Sequence, residues 1–295
     1  METVDSSQQQ KKTTGGARTY GAKKQGDPEH PLVSIITIVL NGESFIRQTI
    51  DSVLQQRYGL IEYIVIDGGS HDSTVSILRE YDSKIDFWQS EPDKGISDAF
   101  NKGINAAQGE FIGLINAGDW YEADTVQRVV ETFLADREVG VVCGALQFWK
   151  GLQREYICHS VPQLLGREMT VTHPTCFVHA ELYHSFGLFS PDYKFAMDYE
   201  LLLRFKQQGA RFLALDSVLA NMQHDGVSEE NWKMALQETH RARTELLESS
   251  FCTSHWYYCF LLIKRELRIF LEKLGWTSLL HFYRSRLALV KKTKL

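Results

Sequence analysis

The sequence predicts an α/β fold in which a mostly parallel sheet carries helices on both faces and a helical appendage follows at the C terminus. Short apolar runs alternate with helical patterns along the chain, which implies crossover connections between parallel strands. These runs are nearly continuous, as expected for strands buried on both faces. With 295 residues, of which 43% are hydrophobic, the chain is long enough for one large domain or for one domain with an appendage.

Each predicted element follows from its residue pattern. Strands are predicted where β-branched and other apolar residues run together, at residues 32–40, 61–67, 85–90, 109–116 and 140–149. Helices are predicted where apolar residues recur every three or four positions, at residues 43–56, 74–82, 96–108, 123–136 and 198–209. Beyond residue 150 the pattern loosens, and it predicts a strand at 169–179, a polar helix at 229–249 and an amphipathic helical pair in the last 40 residues.

These patterns divide the chain into three parts. Residues 1–30 are polar and rich in Gly, Gln and Lys, so they predict a disordered extension rather than a signal peptide. Residues 31–228 are predicted to form the α/β domain, and residues 229–295 to form amphipathic basic helices. The sequence contains no run of about 18 apolar residues, the length that a membrane-spanning helix requires.

Composition narrows the possible functions. The net charge of −5 gives no indication of nucleic-acid binding. Five scattered cysteines without C-x-x-C spacing argue against a disulfide framework or a zinc site, and for a reducing compartment. Residues 264–294 carry nine Lys and Arg against two Glu, which leaves about −12 on the remainder. Such a basic amphipathic segment fits an anionic bilayer interface, or alternatively a packed appendage or dimer arm.

Polar residues follow four of the predicted strands. They are Asn41, Asp67, Asp93 and Asp119. Ligands of open parallel sheets bind beyond the carboxyl ends of the strands, so we expect these four side chains to face one shared site.

Asp119 is the candidate metal ligand. A nucleoside diphosphate binds through Mg²⁺ or Mn²⁺ held by one or two carboxylates, with phosphate oxygens filling other positions. The small residues Ala117 and Gly118 would let a diphosphate approach closely. Alternatively, Asp119 caps the following helix or begins a turn.

Asp67, Gly68, Asp198 and two histidines are further candidates for the site, and each has a structural alternative. Asp67 and Gly68 begin a strand–turn–helix unit that suits nucleotide binding, although such a turn is often structural and the usual glycine fingerprints are absent. Asp198 opens a helix, either as a cap or as a general base for an acceptor hydroxyl. His224 is a candidate metal or phosphate contact and His173 a candidate pocket residue, and either histidine alternatively belongs to the core.

Four segments together resemble the glycosyltransferase family 2 pattern on the GT-A (Rossmann-like) fold. They are residues 31–56, 61–74, 91–119 and 195–204. The resemblance spans roughly residues 31–210 and implies an inverting transfer of a sugar from a nucleotide-diphosphate donor, with a divalent metal, Mn²⁺ or Mg²⁺. The subgroup it most resembles builds bacterial surface polysaccharides, which implies a glycan or lipid-linked acceptor.

The resemblance also assigns roles to residues. Asp119 matches the last acid of the family's D-x-D motif, Asp198 the catalytic base, and Asp67 the first acid of the nucleotide turn. Ala117 stands in place of the other D-x-D acid, so metal binding is expected to be weaker or to involve His224. Gly68 replaces the second acid of the nucleotide turn, and a UDP-sugar remains the expected donor.

The predicted site can now be stated in full. The residues predicted to contact the nucleotide sugar are Thr37, Asn41, Asp67, Gly68, Asp93, Gly95, Asn101, Asn116, Ala117, Gly118 and His173. The metal is assigned to Asp119 and His224, and catalysis to Asp198. A direct displacement needs only a base, a metal and amide donors for the departing diphosphate, and no protein nucleophile.

Two other functions stay open. A degenerate glycosyltransferase that acts as a scaffold would explain the reduced D-x-D motif. The second possible function is that of a sugar-nucleotide nucleotidyltransferase. Such enzymes usually have a Gly-rich basic loop after the first strand, and the corresponding residues here, "LNGESF", lack both features. The expected location is the cytoplasm, with peripheral contact to the inner face of the cytoplasmic membrane if the C-terminal helices bind lipid.

Overall fold

The computed structural model describes residues 12–223, 231–247, 251–274 and 292–294, in which eleven strands form one mixed sheet. The strands are β1 (Thr13–Gly15), β2 (Val33–Val39), β3 (Ile61–Asp67), β4 (Phe87–Ser90), β5 (Phe111–Asn116), β6 (Trp120–Tyr121), β7 (Val139–Lys150), β8 (Gln153–Cys158), β9 (Phe177–His179), β10 (Arg211–Gln223) and β11 (Lys292–Lys294). The α-helices in the same residues are α1 (Ile46–Leu54), α2 (Thr74–Glu80), α3 (Ile96–Ala106), α4 (Thr125–Ala135), α5 (Ala180–Phe186), α6 (Met197–Gln207), α7 (Trp232–Leu246) and α8 (Phe251–Lys273).

The sheet has the order β1-β4-β3-β2-β5-β9-β7-β10-β6, with β8 beside β7 and β11 beside β8. The neighbours β4, β3, β2 and β5 are parallel, and β7 and β10 form a second parallel pair. The short strand β9 lies antiparallel between these two groups. Strands β2, β3, β4, β5, β7 and β10 therefore point the same way, which confirms the predicted mostly parallel sheet.

Helices cover both faces of the sheet, and each face has its own apolar cluster. On the α1 face, named for the helix that covers it, side chains such as Ile50, Leu78 and Phe133 of α1, α2 and α4 pack on the strands. On the opposite face, which we name the α6 face, Phe100 and Leu202 of α3 and α6 do the same. Burial on both sides explains the continuous apolar runs of β2 and β3.

The order of the strands locates the site. The chain runs from β2 outward to β3 and β4, and then crosses back to place β5 on the other side of β2. The strand order therefore reverses between β2 and β5, and a crevice forms at the carboxyl ends of such a pair. The loops that follow β2 and β5 carry Asn41 and Asp119, two of the predicted site residues.

The disorder predicted for residues 1–30 is wrong for residues 12–30. Strand β1 pairs antiparallel with β4. Arg18 then forms a 2.9 Å ion pair with the buried Glu62, and Lys24 a 2.8 Å ion pair with the buried Asp86. Buried carboxylates need cationic partners, and this segment supplies them. The first eleven residues lie outside the described part of the chain.

The strand predicted over residues 169–179 is also wrong for most of its length. Residues His173–Thr175 form a 3₁₀ turn, and only Phe177–His179 pair with the sheet. Pro174 explains the difference, because it lacks the amide hydrogen that a central strand must donate. Among the described helices, none is long and apolar enough to cross a bilayer.

Candidate active site

Asn41 ties the loop after β2 to the loop after β3. Its backbone amide donates to Ser70 Oγ at 2.7 Å, and its side-chain Oδ1 accepts from the His71 amide at 2.9 Å. Asn41 has a positive φ of 52°, a conformation that Asn tolerates better than most residues. The loop geometry therefore depends on this residue.

Asp67 has no exposed surface, and its carboxylate binds protein groups only. It accepts from the amides of Gly69 and Ser70, at 3.2 and 3.0 Å, and from Ser70 Oγ. It also accepts from Ser90 Oγ, at 2.6 Å, which joins β4 to the turn. In this structure Asp67 therefore shapes the loop on which a nucleotide would lie, and its own oxygens face inward.

Asp93 lies against Gly68. A Cβ atom on residue 68 would overlap Oδ2 of Asp93 and lie 3.1 Å from its Cγ. The other oxygen of Asp93 accepts from the Gly95 amide at 2.8 Å, and Gly95 has a φ of 112° that favours glycine. The carboxylate of Asp93 thus occupies the space that a side chain on residue 68 would need.

Asp119 is a buried carboxylate at the end of β5, with 6% of its surface exposed. Burial raises its pKa to about 7, and a hydrogen bond from the Asn116 side chain opposes this shift. The cap position of α4 belongs to Asp124, so the alternative that Asp119 caps this helix is wrong. A buried carboxylate whose pKa is raised by desolvation is suited to receiving a cation.

Thr49 of α1 holds the backbone on both sides of this carboxylate. Its hydroxyl donates to the Asp119 carbonyl at 2.7 Å and accepts from the Gly118 amide at 2.9 Å. Gly118 has a φ of 100°, which explains the glycine. A Cβ there would meet Phe45 only at an ordinary 3.5 Å. The sequence gives no signal for Thr49, because a threonine within an amphipathic helix is common.

The residues present fit a divalent cation that is bound together with a diphosphate. Within the described ranges, no three His, Cys, Asp or Glu side chains form a cluster that would hold a metal alone. Mg²⁺ and Mn²⁺ at nucleotide sites take one or two carboxylates and complete their shell with phosphate oxygens and water. Asp119 supplies one carboxylate, while His224, the second predicted ligand, lies outside the described residues.

Asp198 is in the first turn of α6. Glu238, from α7, accepts from the amides of Phe195 and Ala196 at 2.7 and 2.8 Å, and from Lys194 at 3.0 Å. Asp198 accepts from the adjacent Tyr199 amide, in the first turn of α6, at 2.8 Å. Glu238 therefore holds the segment just before α6, and the capping alternative for Asp198 stays open. Sequence reasoning missed Glu238 because it is some forty positions from this segment.

Asp119 and Asp198 act electrostatically on two different buried side chains. The pKa of Tyr121 is raised by burial, then by Cys176 and by Asp119. The pKa of Cys176 is raised by burial, then by Cys143 and by Asp198. The site that the two acids are predicted to share therefore stays a prediction.

Thr37 and Asn101, both predicted to contact the nucleotide sugar, instead stabilise the protein. The Thr37 hydroxyl is buried in the sheet 3.0 Å from the Tyr63 hydroxyl. The Asn101 side chain donates to the Phe189 carbonyl at 2.9 Å and accepts from the Phe189 amide at 3.0 Å. These contacts use the polar atoms of both side chains, so we correct their predicted role.

His173 lies between aromatic rings and close to Asp198. Its ring centroid is 5.8 Å from that of Phe100 and 5.9 Å from that of Phe189, both edge-on. Burial lowers its pKa, and the charge of Asp198 partly offsets this effect. Burial thus favours the neutral ring, and the predicted pocket role of His173 stays a prediction beside the core alternative.

Comparisons with known proteins agree on one family. A family model described as "Glycosyl transferase family 2" matches residues 34–175. An uncharacterized glycosyltransferase of Mycobacterium tuberculosis is 36% identical over 179 residues, which cover 59% of this chain and 68% of that protein. The putative glycosyltransferase EpsH of Bacillus subtilis is 36% identical over 118 residues, 39% of this chain and 34% of its own.

Solved structures show a similar fold. TarS 1–349 of S. aureus in complex with UDP-GlcNAc has a TM-score of 0.57 at 17% identity, covering 78% of this chain and 71% of that one. The mannosyltransferase PcManGT of Pyrobaculum calidifontis, in complex with GDP-Man and Mn²⁺, has a TM-score of 0.58 at 20% identity, covering 79% and 70%. This chain covers 40% of the longer TarS chain.

Proposed function

This chain belongs to glycosyl transferase family 2, and we propose that it transfers a sugar, with inversion, from a nucleoside-diphosphate donor to an acceptor hydroxyl. One observation carries the proposal: Asp119 is a buried carboxylate at the switch between β2 and β5, where open parallel sheets bind their ligands. A metal-bound diphosphate at Asp119 would leave its sugar within reach of a base on α6.

Asp198 is the proposed general base. Its carboxylate lies in the first turn of α6, where it accepts from the Tyr199 amide. It would take the proton from the acceptor hydroxyl as the oxygen bonds to the anomeric carbon and the bond to the diphosphate breaks. A single displacement of this kind inverts the anomeric configuration and needs no covalent sugar–enzyme intermediate.

Asp119 is the residue proposed to hold Mn²⁺ or Mg²⁺, with His224 as a second candidate. A bound cation would neutralise charge on the departing diphosphate. Thr49 fixes the backbone of Asp119 and so its position at the end of β5. PcManGT, a structural neighbour, was solved with Mn²⁺, which supports a metal here as well.

The nucleotide is proposed to lie over the loops held by Asn41 and Asp67, with Asp93, Gly95, Asn116, Ala117 and Gly118 along its path. Asp93 fills the space at Gly68, so it is the acid best placed to take over from the missing second acid of the turn. A UDP-sugar is the proposed donor. TarS, another neighbour, was solved with UDP-GlcNAc.

The acceptor is proposed to be a glycan or lipid-linked saccharide of a cell-surface polysaccharide, reached at the inner face of the cytoplasmic membrane. Along α8 and the residue after it, six large apolar side chains are exposed by 40–71% at spacings of four and three residues: Trp256, Phe260, Ile263, Leu267, Phe270 and Leu274. With the basic residues after 264, this stripe suits an anionic bilayer surface. We name these six residues the α8 stripe.

We propose that residues 31–228 form the glycosyltransferase domain and that 229–295 extend it, with α7 a structural part of the site. Strands β1 and β11, from outside residues 31–228, add to the sheet of this domain. Glu238 of α7 accepts from the Phe195 amide just before α6, and Glu245 of α7 accepts from the Tyr193 hydroxyl at 2.7 Å. Helix α8 then remains for the membrane.

A panel of nucleotide sugars tests the function. Thermal stabilisation by UDP-glucose, UDP-galactose, UDP-N-acetylglucosamine or GDP-mannose, measured with and without Mn²⁺, identifies the donor. Chromatography of the products then shows whether sugar passes to octyl glycosides or, without an acceptor, to water. Stabilisation by at least one donor together with transfer is expected. If no nucleotide sugar binds or reacts, the proposal is wrong.

A further inference from the structure

Two tryptophans meet where the sheet ends beside Asp119. Trp120 directly follows Asp119, and Trp149 lies near the end of β7. Their ring centroids are 5.7 Å apart and the rings are tilted by 50°. Both indoles are half-buried, and the guanidinium of Arg154, on β8, lies 5.2 Å from the Trp149 ring. Together Trp120, Trp149 and Arg154 make an aromatic surface, which we name the indole platform.

A buried amide fixes the platform. Trp149 Nε1 donates to Asn221 Oδ1 at 2.7 Å, and Asn221 Nδ2 donates to Glu122 Oε1 at 2.7 Å. Asn221 is 1% exposed and pairs with Trp120 across β10 and β6. The orientation of the Trp149 ring is thus set before any ligand arrives, as in preorganised binding sites.

The platform lies on the α6 face of the sheet. Tyr121 belongs to the apolar cluster of the α1 face, and Phe148 packs against the same cluster. Successive side chains of a strand point to opposite faces, so Trp120 and Trp149, their neighbours, point to the α6 face. Helix α6, with Asp198, packs on that face.

We propose that the indole platform binds a pyranose ring of the acceptor, an inference that rests on the proposed transferase function. A pyranose presents an apolar face of C–H groups, which packs well on an indole, and hydroxyls that a guanidinium can hydrogen-bond. Aromatic walls with a few fixed polar groups are typical of small-molecule sites. The donor diphosphate is assigned to Asp119, which directly precedes Trp120 in the chain.

The experiment compares Trp149→Ala and Trp149→Phe with the wild-type chain. Octyl glycosides of glucose, galactose, mannose and N-acetylglucosamine serve as water-soluble acceptors. The control is Trp232→Ala, which removes a half-buried indole on α7 that also has a guanidinium, Arg265, 5.3 Å from its ring. Trp149→Ala is expected to raise the acceptor KM about tenfold, with the donor Kd within twofold, and Trp149→Phe to recover most of the loss.

The outcomes separate the inference from the function on which it rests. An unchanged acceptor KM in Trp149→Ala, with transfer intact, overturns the platform alone. A weaker donor Kd with an unchanged acceptor KM also overturns it, because the ring on the platform would then be the donor's. Absence of transfer by wild-type protein would count against the proposed function.

A second measurement keeps the platform testable without activity or if Trp149→Ala does not fold. Protein labelled with ¹⁵N-tryptophan is titrated with the same octyl glycosides, with the Trp149 indole signal assigned through Trp149→Phe. A shift of the Trp149 indole signal, with the Trp232 signal unmoved, supports the inference. Unmoved signals from both Trp120 and Trp149 overturn it.

Discussion

The carboxylate of Asp93 occupies the space beside Gly68 in which a side chain on residue 68 would otherwise lie. These residues follow different strands, β4 and β3, and meet only at the edge of the folded sheet. The nucleotide turn thus has Gly68 in place of its second acid, and the loop after β4 places the carboxylate of Asp93 at that position. This relationship makes the two positions interdependent.

A Gly68→Ala substitution is expected to displace Asp93. The new Cβ overlaps Oδ2, so the carboxylate must rotate away and lose its bond to the Gly95 amide. Gly68 itself does not have a positive φ, so the backbone tolerates alanine. We expect donor affinity to fall roughly three- to tenfold, since one charge-assisted contact is lost. Asp93→Ala should have a similar effect, and isothermal titration with UDP would measure both.

The double variant Gly68→Ala/Asp93→Ala provides the control. Two changes that act through one carboxylate are expected to cost no more together than either does alone. Fully additive losses would show that Gly68 and Asp93 act independently, against this account.

Asp119→Asn is expected to stabilise the metal-free protein at pH 8. Burial raises the pKa of Asp119 from 3.8 to about 7, so the folded chain binds more protons than the unfolded chain between these values. Stability therefore falls as pH rises through that window, by on the order of 4 kcal/mol at most. The uncharged amide of asparagine removes the cost of burying a charge at this position. The melting temperatures of Asp119→Asn and the wild type should therefore differ at pH 8 and not at pH 4.

Binding of metal and UDP should make the wild type more stable than Asp119→Asn. Mn²⁺ with UDP stabilises only a chain that binds them, so the wild type is expected to gain in melting temperature and Asp119→Asn to gain little. Wild-type activity is expected to fall below pH 7, because protons then compete with the metal for the carboxylate. Equal stabilisation of both chains by Mn²⁺ and UDP would remove Asp119 from the metal site.

Asp198→Asn should lower kcat by about 10²- to 10⁴-fold, the usual contribution of a general base. Donor affinity should stay within twofold, because Asp198 is proposed to act on the acceptor and not on the nucleotide. Asp192→Asn, an exposed acid in the loop before α6, serves as the matched control. Should Asp198→Asn keep its full kcat while the wild type transfers sugar, another group is the base.

Glu238→Ala is expected to loosen the start of α6. Three backbone amides lose their acceptor, which we expect to cost about 1–3 kcal/mol in denaturant unfolding. Because α6 positions Asp198, kcat should fall too, while donor affinity is unchanged. Glu238→Gln keeps an oxygen acceptor and should restore part of both. A loss of stability with normal kcat would limit Glu238 to a structural role.

Serine at Trp256, Ile263 and Phe270 of the α8 stripe is expected to release the protein from vesicles. These side chains are 71%, 68% and 58% exposed, and their burial in a bilayer interface would supply the binding energy. Sedimentation with phosphatidylglycerol vesicles measures binding. Leu152→Ser, which changes a 96% exposed leucine in the β7–β8 turn, is the control. Equal sedimentation of all variants would leave the α8 stripe without a membrane role.

Local patterns predicted five of the six strands that point the same way and missed the sixth, β10. Continuous apolar runs predicted β2, β3, β4, β5 and β7, because strands that are buried on both faces consist mainly of apolar residues. Helical spacing of apolar residues predicted α1, α2, α3, α4 and α6. The same logic failed at residues 12–30. Their order depends on ion pairs to Glu62 and Asp86, which belong to distant strands.

The sequence predicted only part of the chemistry of the site. Asp119 and Asp198 could be found because acids after a strand or at a helix start stand out, and Asp93 because it follows a strand. Whether each acid caps, shapes a loop or faces a ligand depends on partners far away in sequence. Glu238 holds the segment before α6, Ser70 and Ser90 hold the Asp67 carboxylate inward, and Asn221 orients Trp149.

The order of apolar and polar residues alone therefore determined which segments are strands and helices, and which acids end the strands. Tertiary structure decided what each acid does. The reason is physical. Whether a residue tends to be buried depends on its own side chain, so the sequence shows it directly. The role of a carboxylate depends on the few donors and charges within hydrogen-bonding distance, and folding brings these groups together from distant parts of the chain.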